Sequence, residues 1–144
     1  MRYLRSPDAW SRSGGTAAKV LIEYEDYGVA FAAERLLDRH GYSVAVCGGP
    51  THLRGRRCRL VTSGECPLVD GADVVVHGLD LECGANRAVL ETIRRTRPER
   101  RVVVEAAESA RVDYRQLLDG CEVVSFPMHS NALVQAVERA AHSG

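Results

Sequence analysis

The side chains able to do chemistry in this chain fall into two sets, thiols and carboxylates. Cys47, Cys58, Cys66 and Cys83 are separated by eleven, eight and seventeen positions, and Cys121 stands apart. Four thiolates suit zinc or an iron–sulfur cluster, because soft ligands in a tetrahedral set favour those metals. Cys58 and Cys66 can instead close a reversible disulfide across a short loop, and any of the thiols can pack as a small hydrophobe. The spacings match no short ligand signature such as C-x-x-C. An internal echo is present: Cys58-Arg-Leu-Val, then Cys66-Pro-Leu-Val eight residues on, each copy followed by a glycine. Among the carboxylates, Glu23, Glu25 and Asp26 follow one apolar run, and Asp80 and Glu82 follow another. Glu25, Asp26 and Asp80 are the group from which a hard cation could be held; solvated acids are the plainer reading. His52, His77 and His129 are accessory donors, with His77 read as a satisfied core histidine at the end of an apolar run.

Composition limits the options. The 144 residues carry 19 Lys and Arg against 19 Asp and Glu, so the formal charge is zero and a strongly basic nucleic-acid binder is excluded as a first reading. Arg54, Arg56, Arg57 and Arg59 could meet phosphate or an acidic partner, but without interleaved aromatics they read as a solvated loop. Gly48-Gly49-Pro50 is not followed by a helix and fails the dinucleotide test. An apolar share of 45% describes an ordinary globule, and no apolar run has the length of a membrane span. The opening MRYLRSPDAW has no apolar core of a signal peptide, so the expected setting is cytoplasmic and the thiols are not a disulfide scaffold.

The elements that must position these groups alternate in type. Residues 1–17 read as a flexible extension without periodicity, in which Tyr3, Leu4 or Trp10 could dock. Strands are expected over 19–24, 42–47, 72–77, 102–106 and 122–125. A helix capped by Asp26 places Val29, Ala32, Ala33, Leu36 and Leu37 on one face and stops at Gly41. Helices are also expected over 85–97, over roughly 109–119, and after Ser130. Residues 48–71 show no helical period and read as an irregular insertion rich in Cys, Arg and Gly. Strands alternating with helices imply an α/β fold: a doubly wound, flavodoxin-like five-stranded parallel sheet of order 2-1-3-4-5. Its crevice would lie at the carboxyl ends of the first and third strands, near residues 24–27 and 78–84. Cys47, Cys58, Cys66 and Cys83 would all leave that edge.

Several segments resemble the receiver domain of response regulators. KVLIEYED is similar to the opening strand and acidic cluster, ERLLDRHGYSV to the first helix and second strand, ADVVVHGLDLE to the third strand and its turn, and IRRTRPERRVVVEAA to the third helix and fourth strand. The resemblance spans residues 18–142 and implies a receiver-like domain over 18–144, with the second helix replaced by the Cys/Arg/Gly loop. A phosphoryl-accepting receiver needs an aspartate crowning strand three, acids after strand one, a hydroxyl after strand four and a lysine after strand five. The resemblance puts Gly78 at the acceptor position, Tyr24, Glu25 and Asp26 at the acidic cluster, Ala106 at the hydroxyl and Phe126 at the lysine. Val124 stands at the aromatic of strand five, and Asp80 falls two positions beyond the acceptor.

The expectation is therefore a receiver-like regulatory module without catalytic residues or aspartyl phosphorylation. It would act through protein contacts, with a homodimer as one form and Phe126 and Met128 as apolar contacts. Neither a membrane nor a nucleic acid is an expected partner. The alternative is a cysteine-based zinc or iron–sulfur site, or a thiol redox sensor.

Overall fold

The computed structural model describes residues 9–12, 17–53 and 57–142. Five parallel strands, β1 (Lys19–Glu23), β2 (Ser43–Cys47), β3 (Val74–His77), β4 (Arg101–Ala106) and β5 (Glu122–Ser125), form one sheet in the order β2-β1-β3-β4-β5. Side chains alternate between the two faces of a strand, and both faces here are covered, so the inner strands read as unbroken apolar runs. On one face lie Val20, Ile22, Val44, Val46, Val74, Val76 and Val103. Helices α1 (Tyr27–Arg39) and α7 (Ser130–His142) cover them. On the other face lie Leu21, Ala45, Val75, Val102 and Val104. These are covered by α2 (Arg59–Ser63), α3 (Pro67–Gly71), α4 (Gly84–Thr96), α5 (Glu108–Asp113) and α6 (Arg115–Leu118).

The expected irregular insertion is corrected at its second half. Both copies of the Cys-x-Leu-Val echo build the same object, a one-turn helix. Cys58 and Cys66 are the N-cap residues of α2 and α3, and the leucine two positions on, Leu60 or Leu68, is driven into the core at 1% or 2% exposure. Gly64 ends α2 in the left-handed conformation (φ +77°), where a side chain would be strained. A five-residue helix is too short for a 3.6-residue period to repeat, so no period marks it. The usable signals are the caps: Pro67 at the first position of α3 and Gly64 after α2.

Two further expectations change. The weak helix near 109–119 is two short pieces broken at Tyr114, whose ring lies under the Arg87 guanidinium at 5.0 Å while its hydroxyl accepts from Arg87 Nη1 at 3.1 Å. Part of the extension expected to be flexible is docked. Ala9 is buried, and Ser11 pairs with the outer edge of β2, donating from its amide to Val44 O (2.8 Å) and accepting from Val44 N at Oγ (2.9 Å). Unpaired edge groups invite pairing with other chains, so covering them protects the sheet. Lys19 Nζ sits 5.4 Å from the Trp10 ring centre. Tyr3 and Leu4, and Arg54 and Arg56 of the insertion, lie outside the described residues.

On α1 the side-chain oxygen of Asp26 accepts from Val29 N at 3.0 Å, the expected cap. The apolar stripe it starts is only partly covered. Ala30, Ala33 and Leu37 are buried, while Val29 is 48% exposed and Ala32 is exposed.

Candidate functional site

The carboxyl ends of β1, β3 and β4 converge on one polar shelf. Gly78 follows β3, its amide donating to Glu23 O at 2.9 Å, which sets it beside Tyr24. The Tyr24 ring lies across Gly78: a Cβ added there would fall 2.5 Å from Cδ1 and 2.6 Å from Cζ, and nearer still to Cε1. Real carbon contacts of that kind do not occur, so a side chain at 78 and the ring in this position exclude each other. Tyr24 is 5% exposed and its hydroxyl bonds Glu105 on β4. Glu105 Oε2 in turn accepts from Met128 N at 2.9 Å, tying β1, β4 and the segment before α7 together. Burial raises the Tyr24 hydroxyl well above the usual phenol range, and the Glu105 charge and hydrogen bond push it the same way. The tyrosine is a neutral, hydrogen-bonded plug.

The structure brings the sequence-predicted positions to one crevice. Tyr24, Glu25, Asp26, Gly78, Asp80 and Phe126 line a cleft of about 500 Å³ between α1 and the start of α7. Ala106 borders an adjoining lobe of about 290 Å³ with Glu82. Phe126 is 66% exposed and joined to Pro127 by a cis peptide. Met128, expected as a free apolar contact, is half-buried against the core beneath α7.

Glu25, Asp26 and Asp80 were the group for a hard cation, and each carboxylate accepts from a local donor. Glu25 accepts from Asn86 Nδ2 (2.8 Å) and Thr51 Oγ1 (3.1 Å), Asp26 caps α1, and Asp80 Oδ1 accepts from Glu82 N at 3.0 Å. Among the described residues no three His, Cys, Asp or Glu side chains are disposed to hold a metal ion. Sequence reasoning missed Asn86 and Glu105. Asn86 is fully buried in the first turn of α4 and also donates to Asp80 O at 3.1 Å, clamping two loops. Glu105 carried a signal, a lone charge inside the run VVVEAA.

The thiols gather on the other face. Cys47, Glu23 and His77 are adjacent in register across β2, β1 and β3. Cys47, Cys58, Cys66 and Glu23 border a small void of about 10 Å³, roughly the space of one water-sized probe. Cys83 caps α4 and is not on that void. The zinc or iron–sulfur quartet of Cys47, Cys58, Cys66 and Cys83 is therefore not assembled, and no disulfide joins any of them. The reason is α2 and α3, which fill the space over the strand ends with Leu60 and Leu68. Glu23, expected among solvated acids, is 2% exposed and accepts from His77 Nδ1 at 2.9 Å. His77 is a core histidine, but only half satisfied, since its Nε2 has no partner among the described residues. His52 Nε2 donates to Glu25 O at 3.0 Å, and His129 lines the cleft. Burial raises the Cys121 thiol above its ordinary range; Arg94 lowers it by less, and Asp119 adds to the rise.

A five-stranded parallel sheet of this order, with its crevice at the carboxyl ends, defines a receiver-type fold. Solved structures agree. The chain superposes on a response regulator receiver domain protein from Clostridium thermocellum with TM-score 0.65 and 18% identity, covering 86% of this chain and 94% of that one. A receiver protein from Sinorhizobium medicae gives 0.65 at 16% identity over 88% and 96%, and the non-phosphorylated HemR receiver domain from Leptospira biflexa gives the same four values. No family model matches the sequence, and no curated protein matches it. At these identities the likeness is one of fold.

Proposed function

We propose that the chain is a receiver-like regulatory module that works without aspartyl phosphorylation and through contacts with other proteins. The observation that carries this reading is the mutual fit of Tyr24 and Gly78. Glycine offers no nucleophile at the crest of β3, and the ring occupies the volume in which an acceptor side chain would stand. Ala106 has no hydroxyl to donate and Phe126 no charge to offer a phosphoryl oxygen. Tyr24, Glu25, Asp26, Gly78, Ala106 and Phe126 then form the remnant of a phosphorylation site, and no catalytic residue is assigned.

Protein contact is supported by exposed apolar groups at the start of α1. Tyr27 and Phe31 are stacked with ring centres 6.2 Å apart, 42% and 49% exposed. Clustered exposed aromatics mark docking surfaces more often than single ones do. A homodimer with Phe126, 66% exposed, as a contact belongs to the same proposal, as does a cytoplasmic setting. Among the described residues no helix is long and apolar enough to cross a membrane.

The test is incubation with acetyl phosphate and Mg²⁺ followed by intact-mass measurement. The expected result is no gain of a phosphoryl group under conditions that label a competent receiver. Labelling mapped to Asp26 or Asp80 would overturn the proposal.

A further inference from the structure

The crevice at the strand ends has two lobes that share Gly78, Asp80, Glu105 and Phe126. The larger, about 500 Å³, lies within the roughly 300–1,000 Å³ usual for small-molecule sites. Its walls are apolar: Val29, Ala32 and Leu36 from α1 face Leu133 from α7. Val29 and Ala32 are the part of the helix stripe that the core leaves exposed, and Leu36 is half-buried beside them.

The floor is negative. Glu25, Asp26, Asp80 and Glu105 border the larger lobe and Glu82 the smaller, whereas among the described residues no Lys or Arg borders either. Arg111 reaches Ser125 Oγ at 3.4 Å and stays outside both linings. Among the described residues the hydrogen-bond donors on these carboxylates are neutral: the Tyr24 hydroxyl and Met128 amide on Glu105, the Glu82 amide on Asp80, Asn86 and Thr51 on Glu25, the Val29 amide on Asp26 and the Tyr114 hydroxyl on Glu82. Neutral donors fix a carboxylate in place and leave its charge uncancelled. Phe126, exposed at the junction of the lobes, offers an aromatic face, which attracts cations.

We propose that this crevice binds a small organic ammonium ion with an apolar body, of the arylalkylamine class. The apolar body lies between α1 and α7 and the ammonium meets Asp80 and Glu105 beneath Phe126. Among the described residues an anionic ligand would face these carboxylates with no Lys or Arg beside them, His129 being the one basic side chain on the lining. A bare metal ion would leave the apolar walls unused and would find no three ligands. The inference goes beyond the phosphorylation reading and stands on the crevice alone, so labelling at an aspartate would not by itself remove it.

The experiment is an NMR titration of the whole chain with three probes of similar shape and different charge: phenethylammonium, 2-phenylethanol and 3-phenylpropionate. Phenethylammonium is expected to give saturable shifts at the amides of Asp80, Glu105 and Met128. The alcohol should bind at least about fivefold more weakly, and the acid should not saturate, as expected if charge contributes about 1 kcal/mol or more. Asp80→Asn, on the exposed turn, should weaken the ammonium at least about threefold without affecting the alcohol, and Ala32→Trp, on an exposed position of α1, should abolish both by filling the groove. Equal binding of amine and alcohol, preferred binding of the acid, shifts centred elsewhere, or no saturable binding of any probe would each overturn the proposal.

Discussion

The two faces of the sheet meet its carboxyl edge in opposite ways. On the α1/α7 face the crevice is open, about 500 Å³, yet the crest of β3 holds Gly78 with the Tyr24 ring across it. On the α2/α3 face the groups with intrinsic reactivity are all present, with Cys47, Glu23 and His77 in one row and Cys58 and Cys66 near it. Their void is only about 10 Å³, with the buried Leu60 and Leu68 on its lining. One side has room and no reagent; the other has reagents and no room. Residue type alone identifies neither a site nor its absence, because chemistry needs a reactive group and a space for its substrate together.

The comparison can be broken at four points, in falling order of effect. Leu68→Ala should destabilise by about 3 kcal/mol in a urea melt, since a fully buried leucine leaves a cavity that short α3 cannot collapse. A cost below about 1 kcal/mol would mean the thiol side is loosely packed and accessible. Glu23→Ala should cost about 2 kcal/mol by the same measurement, because it strips His77 Nδ1 of its partner inside the core. Tyr24→Phe should cost about 1 kcal/mol through loss of the Glu105 hydrogen bond, and it should also change the alkaline limb of stability. The folded state holds the Tyr24 proton more tightly than the unfolded chain does. Its contribution is therefore complete below the unfolded phenol value of about pH 10 and declines as pH rises beyond it. Thermal melts from pH 8 to 11 should show a shallower fall for Tyr24→Phe than for the parent. Cys58→Ser should cost about 0.5 kcal/mol, the size of an ordinary half-buried substitution, as read by thermal melting. A far larger effect, or a changed response to hydrogen peroxide, would return the thiols to a functional role.

Legibility in the sequence follows the length of the signal. The five strands and the long helices were readable because apolar runs and the Asp26-capped stripe repeat over enough residues to declare a period. α2 and α3 were hidden because one turn has no period, although the repeated Cys-x-Leu-Val did mark them as equivalent. The positions lining the crevice were readable one at a time, by resemblance. Their relation was not: that Tyr24 fills the space over Gly78 depends on β1 and β3 being neighbours in register, which no local window contains. The same holds for Glu105, four strand residues from the Arg101 end of β4, and for Asn86, whose two partners come from loops 61 and 6 positions away. Ser11 on the edge of β2 is likewise a contact between segments 33 positions apart.

The exclusion between the Tyr24 ring and position 78 is tested most directly by a double-mutant cycle in urea. Gly78→Ala in the parent chain should cost about 3 kcal/mol by overpacking against the ring. With Tyr24→Ala already in place, the same Gly78→Ala change should cost less than about 0.5 kcal/mol, because the added methyl then enters vacated space. Equal costs in both backgrounds would show that the ring does not occupy the space over position 78 and would contradict the account.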